Sequence, residues 1–404
     1  MLALQSEPRL IALRGGLGVV PGLRLAGVHA GIKKRKRDLA VIAFDAPHVC
    51  ASVITTNEIK AAPLIVSREH LAQNGASMRA LVCNSGCANA CTGERGERDA
   101  RATARQAAAL LDVPPQAVIV ASTGVIGVPL QMDRMSKGLE RAIADLESGG
   151  EAAFDAAEAI MTTDRAAKLA AYAFYDGEKR YVVAGIAKGS GMIAPNMATM
   201  LAFIATDAPM SQDALQRHLF ACTDATFNMI SVDGDMSTND AVYAFAPSSD
   251  EEPPEHFGAA LRKLCDDLAR AMVADGEGAT KTLTVDVTGA ASESQARAIA
   301  RAVINSNLVK TALFGEDPNW GRIIAAAGSA RAGMDAERWS LYLSGELWVD
   351  TGSVEILSEA EAHRELEHTA VRVRLDLGIG TESATGWGCD LSRDYVKINA
   401  SYRT

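Results

Sequence analysis

At 404 residues, with 48% hydrophobic, 22% charged and 5% aromatic residues, the chain has the make-up of an α/β globular protein of one large or two ordinary domains. Its net charge of −10 argues against general nucleic-acid binding, and no apolar stretch approaches the roughly 18 uninterrupted residues of a membrane span. Seven scattered cysteines, and a first segment without a basic region ahead of an apolar core, lead us to expect reduced thiols and a cytoplasmic setting.

Near the start, Gly15-Gly16-Leu17-Gly18 is a weak phosphate-loop signal, since no strand precedes it and no Gly-Lys-Ser/Thr follows. The run Lys33-Lys-Arg-Lys-Arg37 reads as a solvated loop before a strand; a localisation signal or an anion-attracting rim are its functional readings. Strands are expected over 38–45 and 49–55, and a helix over 61–73. A strand over 79–82 leads into Cys83-Asn-Ser-Gly-Cys-Ala-Asn-Ala-Cys-Thr-Gly93. Cysteines spaced by four fit neither paired zinc ligands nor an iron–sulfur motif, so Cys83, Cys87 and Cys91 are expected as small buried residues in a tight turn.

An amphipathic helix over 94–111 precedes a strand over 117–121 and then Ser122-Thr-Gly-Val-Ile-Gly-Val-Pro129. A strand running into Thr123-Gly124 presents a hydroxyl and an unencumbered backbone N–H together, the donors of an oxyanion hole; a plain turn is the other reading. Helices over 132–146 and 152–161 come next, then a hairpin of strands 169–175 and 180–187 about Asp176-Gly177. It delivers the chain to Lys188-Gly-Ser-Gly-Met-Ile-Ala-Pro-Asn-Met-Ala-Thr-Met200 and an apolar strand over 200–206. Thr199 at that junction is either an ordinary threonine entering a strand or a nucleophile. Were the Ala198–Thr199 bond broken, Thr199 would carry a free α-amine able to act as its base.

Beyond it, Ser211 caps a helix over 212–223. Asp233-Gly-Asp-Met-Ser-Thr-Asn-Asp240 lacks the spacing of a calcium loop and reads as a polar turn between strands over 229–232 and 241–246. A periodic helix over 255–274 leads to Asp275-Gly-Glu-Gly-Ala-Thr-Lys281, where Glu277 is flanked by glycines at the mouth of a strand over 280–287. A helix over 292–305, Gly315-Glu-Asp-Pro-Asn-Trp-Gly-Arg322, a further Ala-rich helix and strands near 340–343, 347–350 and 370–377 follow, and the chain closes with Gly386–Leu391 and then Val396 to Thr404. The alternation predicts an α+β fold of layered sheets and helices, not a doubly wound parallel sheet. With no HExxH, GxSxG, P-loop or kinase motif, the remaining constellation is Thr199 with Thr123 and Gly124 and no evident His base.

The segment Lys188 to Leu201 resembles the self-cleavage signature of the ornithine acetyltransferase family, the arginine-biosynthesis bifunctional glutamate N-acetyltransferases. So do Ala30-Gly-Ile-Lys33 with Lys36-Arg-Asp-Leu39, Asn84 to Gly93, Ser122 to Gly127, Met161-Thr-Thr-Asp164, Asp275 to Lys281, Gly315 to Ile323 and Asp394-Tyr-Val-Lys-Ile-Asn399 with the terminal Thr404, in the family's order. The resemblance implies a precursor cut between Ala198 and Thr199 into chains 1–198 and 199–404, which stay together and pair as α2β2. Thr199 would take acetyl from N2-acetylornithine and pass it to glutamate, with acetyl-CoA a second donor in some members and no cofactor or metal. Thr123 and Gly124 match the family's oxyanion pair; Thr162, Lys188, Thr199, Glu277, Asn399 and Thr404 match its substrate contacts. Lys188 suits an α-carboxylate, and Glu277 the side-chain amine of ornithine. Two departures, Cys87 where the family often has Asn and Met236 where Thr is common, touch none of these positions. A self-processing threonine aminopeptidase or amidase, and an uncleaved metabolite-binding protein, are the competing functions.

Overall fold

The computed structural model describes residues 9–193, 200–351 and 356–401. The first half of the chain supplies β1 (Ile11–Ala12), β2 (Leu23–Val28), β3 (Leu39–Ile54), α1 (Ala62–Asn74), β4 (Met78–Cys87) and α2 (Gly93–Leu111). It continues through β5 (Val118–Val125), α3 (Met132–Ala144), α4 (Gly150–Ala159), β6 (Lys168–Asp176) and β7 (Lys179–Lys188). Then follow β8 (Leu201–Thr206), α5 (Gln212–Ala225), β9 (Ile230–Ser231), β10 (Ala241–Pro247) and α6 (Phe257–Ala274). Among the described residues a nine-stranded sheet runs β1-β6-β7-β8-β10-β3-β4-β5, with β2 pairing β3 off this path.

The two strands expected over 38–55 are one, β3, and the layering depends on it. At Asp45-Ala46-Pro47 the strand is exposed and its register with β4 shifts between Ala43 and His48. Its first part pairs with β2 and β4, its second with β10. A proline and a polar pair interrupt the apolar run, which made one bent strand look like two. The bend lays the two parts of the sheet face to face. Ile42, Leu81, Cys83 and Ile119 of one part pack in a single core with Val182, Ile186, Phe203 and Tyr243 of the other.

Helices cover the two outer faces. Alanines and leucines of α1, α2 and α3 pack on Leu39, Val41, Val82 and Val120, while α5 and α6 pack on Val183, Ala202, Ile204 and Val242. The result is four layers, helix, sheet, sheet, helix. Every residue of β8 is buried, alternately toward the inner core and toward α5 and α6, which is why its sequence is apolar without alternation.

The rest of the chain builds a second sheet from β11 (Thr282–Ala290), α7 (Glu293–Asn305), α8 (Asn307–Phe314), α9 (Trp320–Ser329), β12 (Ser340–Leu343) and β13 (Glu346–Asp350). It closes with α10 (Glu359–Leu366), β14 (Ala370–Asp376), β15 (Glu382–Cys389) and α11 (Arg393–Ser401). This six-stranded sheet, ordered β13-β12-β14-β11-β15-β9, buries one face under α7 and α9. Its edge strand β9 follows α5 of the first unit, so the two sheets share a seam at residues 230–240. Among the described residues no helix is long and apolar enough to cross a membrane.

Candidate active site

A cleft at that seam is lined by strand ends of the first sheet, the loops around it and α11, among them Thr123, Gly124, Thr162, Lys188, Glu277 and Asn399. These are six of the positions singled out in the sequence, brought together from five separate stretches. Ala198, Thr199 and Thr404 lie outside the described residues, whereas Ile193 and Met200, on either side of the first two, are buried.

Thr123 and Gly124 sit near the end of β5, where pairing with β4 slips at Gly86 and Cys87. Gly124 has φ +129°, and a Cβ there would stand 2.5 Å from the Gly86 carbonyl carbon. Only glycine fits both the conformation and the backbone contact. Lys188, the last residue of β7, is 5% exposed and donates from Nζ to Thr123 Oγ1 at 3.0 Å and Thr162 Oγ1 at 3.4 Å. A Thr123 oxygen that accepts from Lys188 leaves its own O–H free to donate into the cleft. Asn239 holds this strand end in place by donating from Nδ2 to the carbonyls of Ser122 (2.8 Å) and Ala88 (2.7 Å).

Lys188 is carried by a buried network that the sequence reading missed. Asp164 accepts from the backbone of Thr162 (3.0 Å) and Gly189 (2.7 Å) and from Lys168 Nζ (2.7 Å). Burial alone would raise the Asp164 carboxyl, but the Lys188 and Lys168 ammonium groups outweigh it and hold the pKa below the ordinary value. Lys168 also reaches Asp275 at 2.6 Å, and Asp275 accepts from Arg165 Nε at 3.0 Å. Two residues on, Glu277 N donates to Ser190 O at 2.8 Å. The same loop is tied down again by Ser190 Oγ, which donates to Asp275 O at 2.6 Å. The Thr162–Asp164 turn, the end of β7 and the Glu277 loop are thus one hydrogen-bonded unit.

Glu277 is 7% exposed and its Oε2 accepts from Asn399 Nδ2 of α11 at 2.9 Å. Its carboxylate lies against the backbone of Gly191, where a Cβ would come within 2.4 Å of it. Among the described residues neither Lys188 nor Glu277 has an ion-pair partner within 4 Å. Asp233 and Tyr395 also line the cleft, with Tyr395 Oη donating to Asp233 Oδ2 at 3.3 Å. Burial pushes the Asp233 carboxyl above its ordinary value against the pull of backbone N–H groups, and burial together with Asp233 pushes the Tyr395 phenol up.

The basic run is partly structural. Lys33 donates to Met161 O at 3.0 Å beside the cleft, and burial lowers its pKa to about 8 although Asp38 pulls it upward. Lys34, Arg35 and Lys36 are exposed. The first part of the expected cysteine turn is strand, since β4 extends to Cys87. Cys83 lies in the core between the sheet parts, Cys87 in the core under α2, and Cys91 is exposed, so the three do not converge. Burial raises Cys83 to about 12.

Comparison with known proteins covers nearly the whole chain. The profile of the ArgJ family matches residues 24–404. The chain is 48% identical over 403 residues to an "Arginine biosynthesis bifunctional protein ArgJ" of Symbiobacterium thermophilum, covering 97% of this chain and 99% of that protein. It is 45% identical to the protein of the same name from Caldanaerobacter subterraneus subsp. tengcongensis, again covering 97% and 99%. A crystal structure of ornithine acetyltransferase complexed with ornithine, from Mycobacterium tuberculosis, is 38% identical with a TM-score of 0.44, covering 46% of this chain and 99% of that one.

Proposed function

The chain belongs to the ArgJ family and is an acetyltransferase of arginine biosynthesis, and on that premise we propose that it moves the acetyl group of N2-acetylornithine to glutamate through Thr199. The observation that carries this reading is the pair of buried, unlike charges on one cleft, Lys188 and Glu277, each hydrogen-bonded but without an ion-pair partner among the described residues. Asp164 balances part of the Lys188 charge through space, and both side chains still line the cleft, where a ligand bearing the complementary charges can engage them. N2-acetylornithine has them: an α-carboxylate for Lys188 and a side-chain ammonium for Glu277 and Asn399.

The precursor would first cut itself at Ala198–Thr199, giving chains 1–198 and 199–404 that assemble as α2β2. Thr199 Oγ then attacks the acetyl carbon, its proton passing to the Thr199 α-amine. Gly124 N–H and the Thr123 hydroxyl stabilise the oxyanion as it forms. The C–N bond breaks, ornithine leaves with a proton on its α-amine, and acetyl-Thr199 remains. The α-amine of glutamate attacks that ester, releasing N-acetylglutamate and restoring the hydroxyl. Side chains and backbone supply the chemistry, and an assay comparing acetylornithine with acetyl-CoA decides whether the enzyme takes one acetyl donor or both; Thr162 and Thr404 complete the substrate contacts.

Purified protein should show two products on a denaturing gel, one of them with a sequence beginning at Thr199, while Thr199→Ala stays whole. Acetylornithine consumption should depend on glutamate, and Thr123→Ala should lower kcat about 100- to 1,000-fold. Equal consumption without glutamate, with acetate released, would make the protein a hydrolase.

A further inference from the structure

We propose that Asp233 is a positioning residue for the self-cleavage step, acting through the backbone of Met192 and Ile193. The inference rests on the self-cleavage reading above and adds a residue to it. Asp233 Oδ2 accepts from Met192 N at 2.5 Å and Oδ1 from Ile193 N at 2.7 Å. The Ile193 carbonyl is held in turn by Val232 N at 2.6 Å and by Ser231 Oγ at 3.3 Å. Ile193 is therefore bonded through both its backbone groups to residues 231–233, and it is fully buried.

Met192 has φ +57°, a left-handed conformation that a side chain resists and that needs outside support. Asp233 supplies it with two charge-assisted bonds to consecutive amides. On the far side of 194–199, Met200 O accepts from Ala241 N at 3.1 Å and Leu201 pairs with Lys188. Both ends of the segment carrying the Ala198–Thr199 bond are thus anchored, one by β-sheet pairing and the other by the Asp233 carboxylate on two amides together with the bonds of residues 231–233 to the Ile193 carbonyl. Tyr395 Oη donates to the same Asp233 oxygen that accepts from Met192, so α11 braces the clamp.

The step served is the attack of Thr199 Oγ on the Ala198 carbonyl carbon. The Ala198–Thr199 C–N bond breaks as nitrogen takes the hydroxyl proton, leaving an ester that water hydrolyses to the Ala198 carboxylate and a free Thr199 hydroxyl. Attack needs oxygen and carbonyl held close and aligned, and small displacements of the approach segment slow such reactions steeply.

The test is Asp233→Asn, which keeps the size of the side chain but sets an NH2 group against one of the two amides. Wild-type and variant chains are made by rapid in vitro translation, and loss of the full-length band is timed with and without hydroxylamine, which traps the ester. Asp233→Asn is expected to slow cleavage at least tenfold in both conditions, with a urea midpoint matching that of Thr199→Ala. Asp233→Asn cleaving at the wild-type rate, or restored to it by hydroxylamine, would overturn the proposal, the latter by placing Asp233 after the attack. A urea midpoint lowered in proportion to the lost cleavage would also overturn it, by making the effect one of folding; Tyr395→Phe, which loosens the brace and keeps the carboxylate, should then slow cleavage only a few-fold. A wild-type chain that stays whole overturns the self-cleavage reading itself.

Discussion

At the scale of single residues, the cleft is made of groups whose neighbours were chosen for them. Gly191 is the clearest case. In Gly191→Ala the new Cβ would fall 2.4 Å from the Glu277 carboxylate. A carboxylate at the end of a flexible side chain can move away, so stability should barely change, but the group we propose for the substrate's amine is then displaced. We expect ornithine to bind about tenfold more weakly, roughly 1.4 kcal/mol, by calorimetry. Asp164 behaves differently, because its partners Lys168 and Gly189 are buried with it. Asp164→Asn should cost about 3–5 kcal/mol at pH 7 by removing the carboxylate beside buried Lys188 and leaving Lys168 with Asp275 alone. The pKa of Asp164 is lowered in the fold, so the unfolded chain takes up its proton first as the pH drops. Its stabilisation is present above the ordinary carboxylate pKa, about 3.9, and fades as the pH falls through the lowered value. Urea midpoints of wild type and variant should therefore converge below about pH 4; a gap unchanged at pH 3 would count against the assignment. Thr123, Gly124, Lys188 and Glu277 were legible because each lies in a local motif. Asp164, Lys168, Asp275 and Asp233 were not, since their meaning is in their partners: Lys168 and Asp275 are 107 positions apart.

Among the elements, those with a full period of apolar residues could be read directly. The helices α2, α6 and α7 and the β6–β7 hairpin lie within a few residues of their expected bounds. Short ones escaped. The eight residues of α10 begin with a capping box, Ser358 and Glu361 bonding each other's backbone, which is a sequence signal that was passed over. The other case is α11, legible as a block carrying Asn399 but not as a helix, and it is an unusual helix because none of its described residues is buried. It does little for the core yet brings Tyr395 and Asn399 to the cleft. A chain ending at Ser392 should therefore keep its stability within about 1 kcal/mol, in keeping with surface changes, while ornithine binding falls below detection. A large loss of stability on that truncation would show that α11 is structural.

For the molecule as a whole, the α+β class followed from the order of strands and helices, but the four layers did not. They depend on the bend in β3, which no local pattern announces. The same sheet spans the proposed cut. β7 and β8, on either side of it, are hydrogen-bonded neighbours from Val183–Thr206 to Lys188–Leu201, and β10 joins β8 to the bent strand. The two product chains should therefore elute together in native gel filtration and separate only in denaturant. After dilution from urea, the uncut Thr199→Ala chain should refold at a rate independent of protein concentration. The cut protein must bring two chains together first, and its recovery should rise with concentration; equal recoveries would speak against a shared sheet. Interleaving of this kind gives maturation a direction in time. If the chain is cut as proposed, a young molecule warmed past its transition can find its way back alone, whereas a mature one would have lost the covalent thread that kept its halves in reach, and the durability of the working enzyme would be set by how slowly it opens and not by how readily it folds.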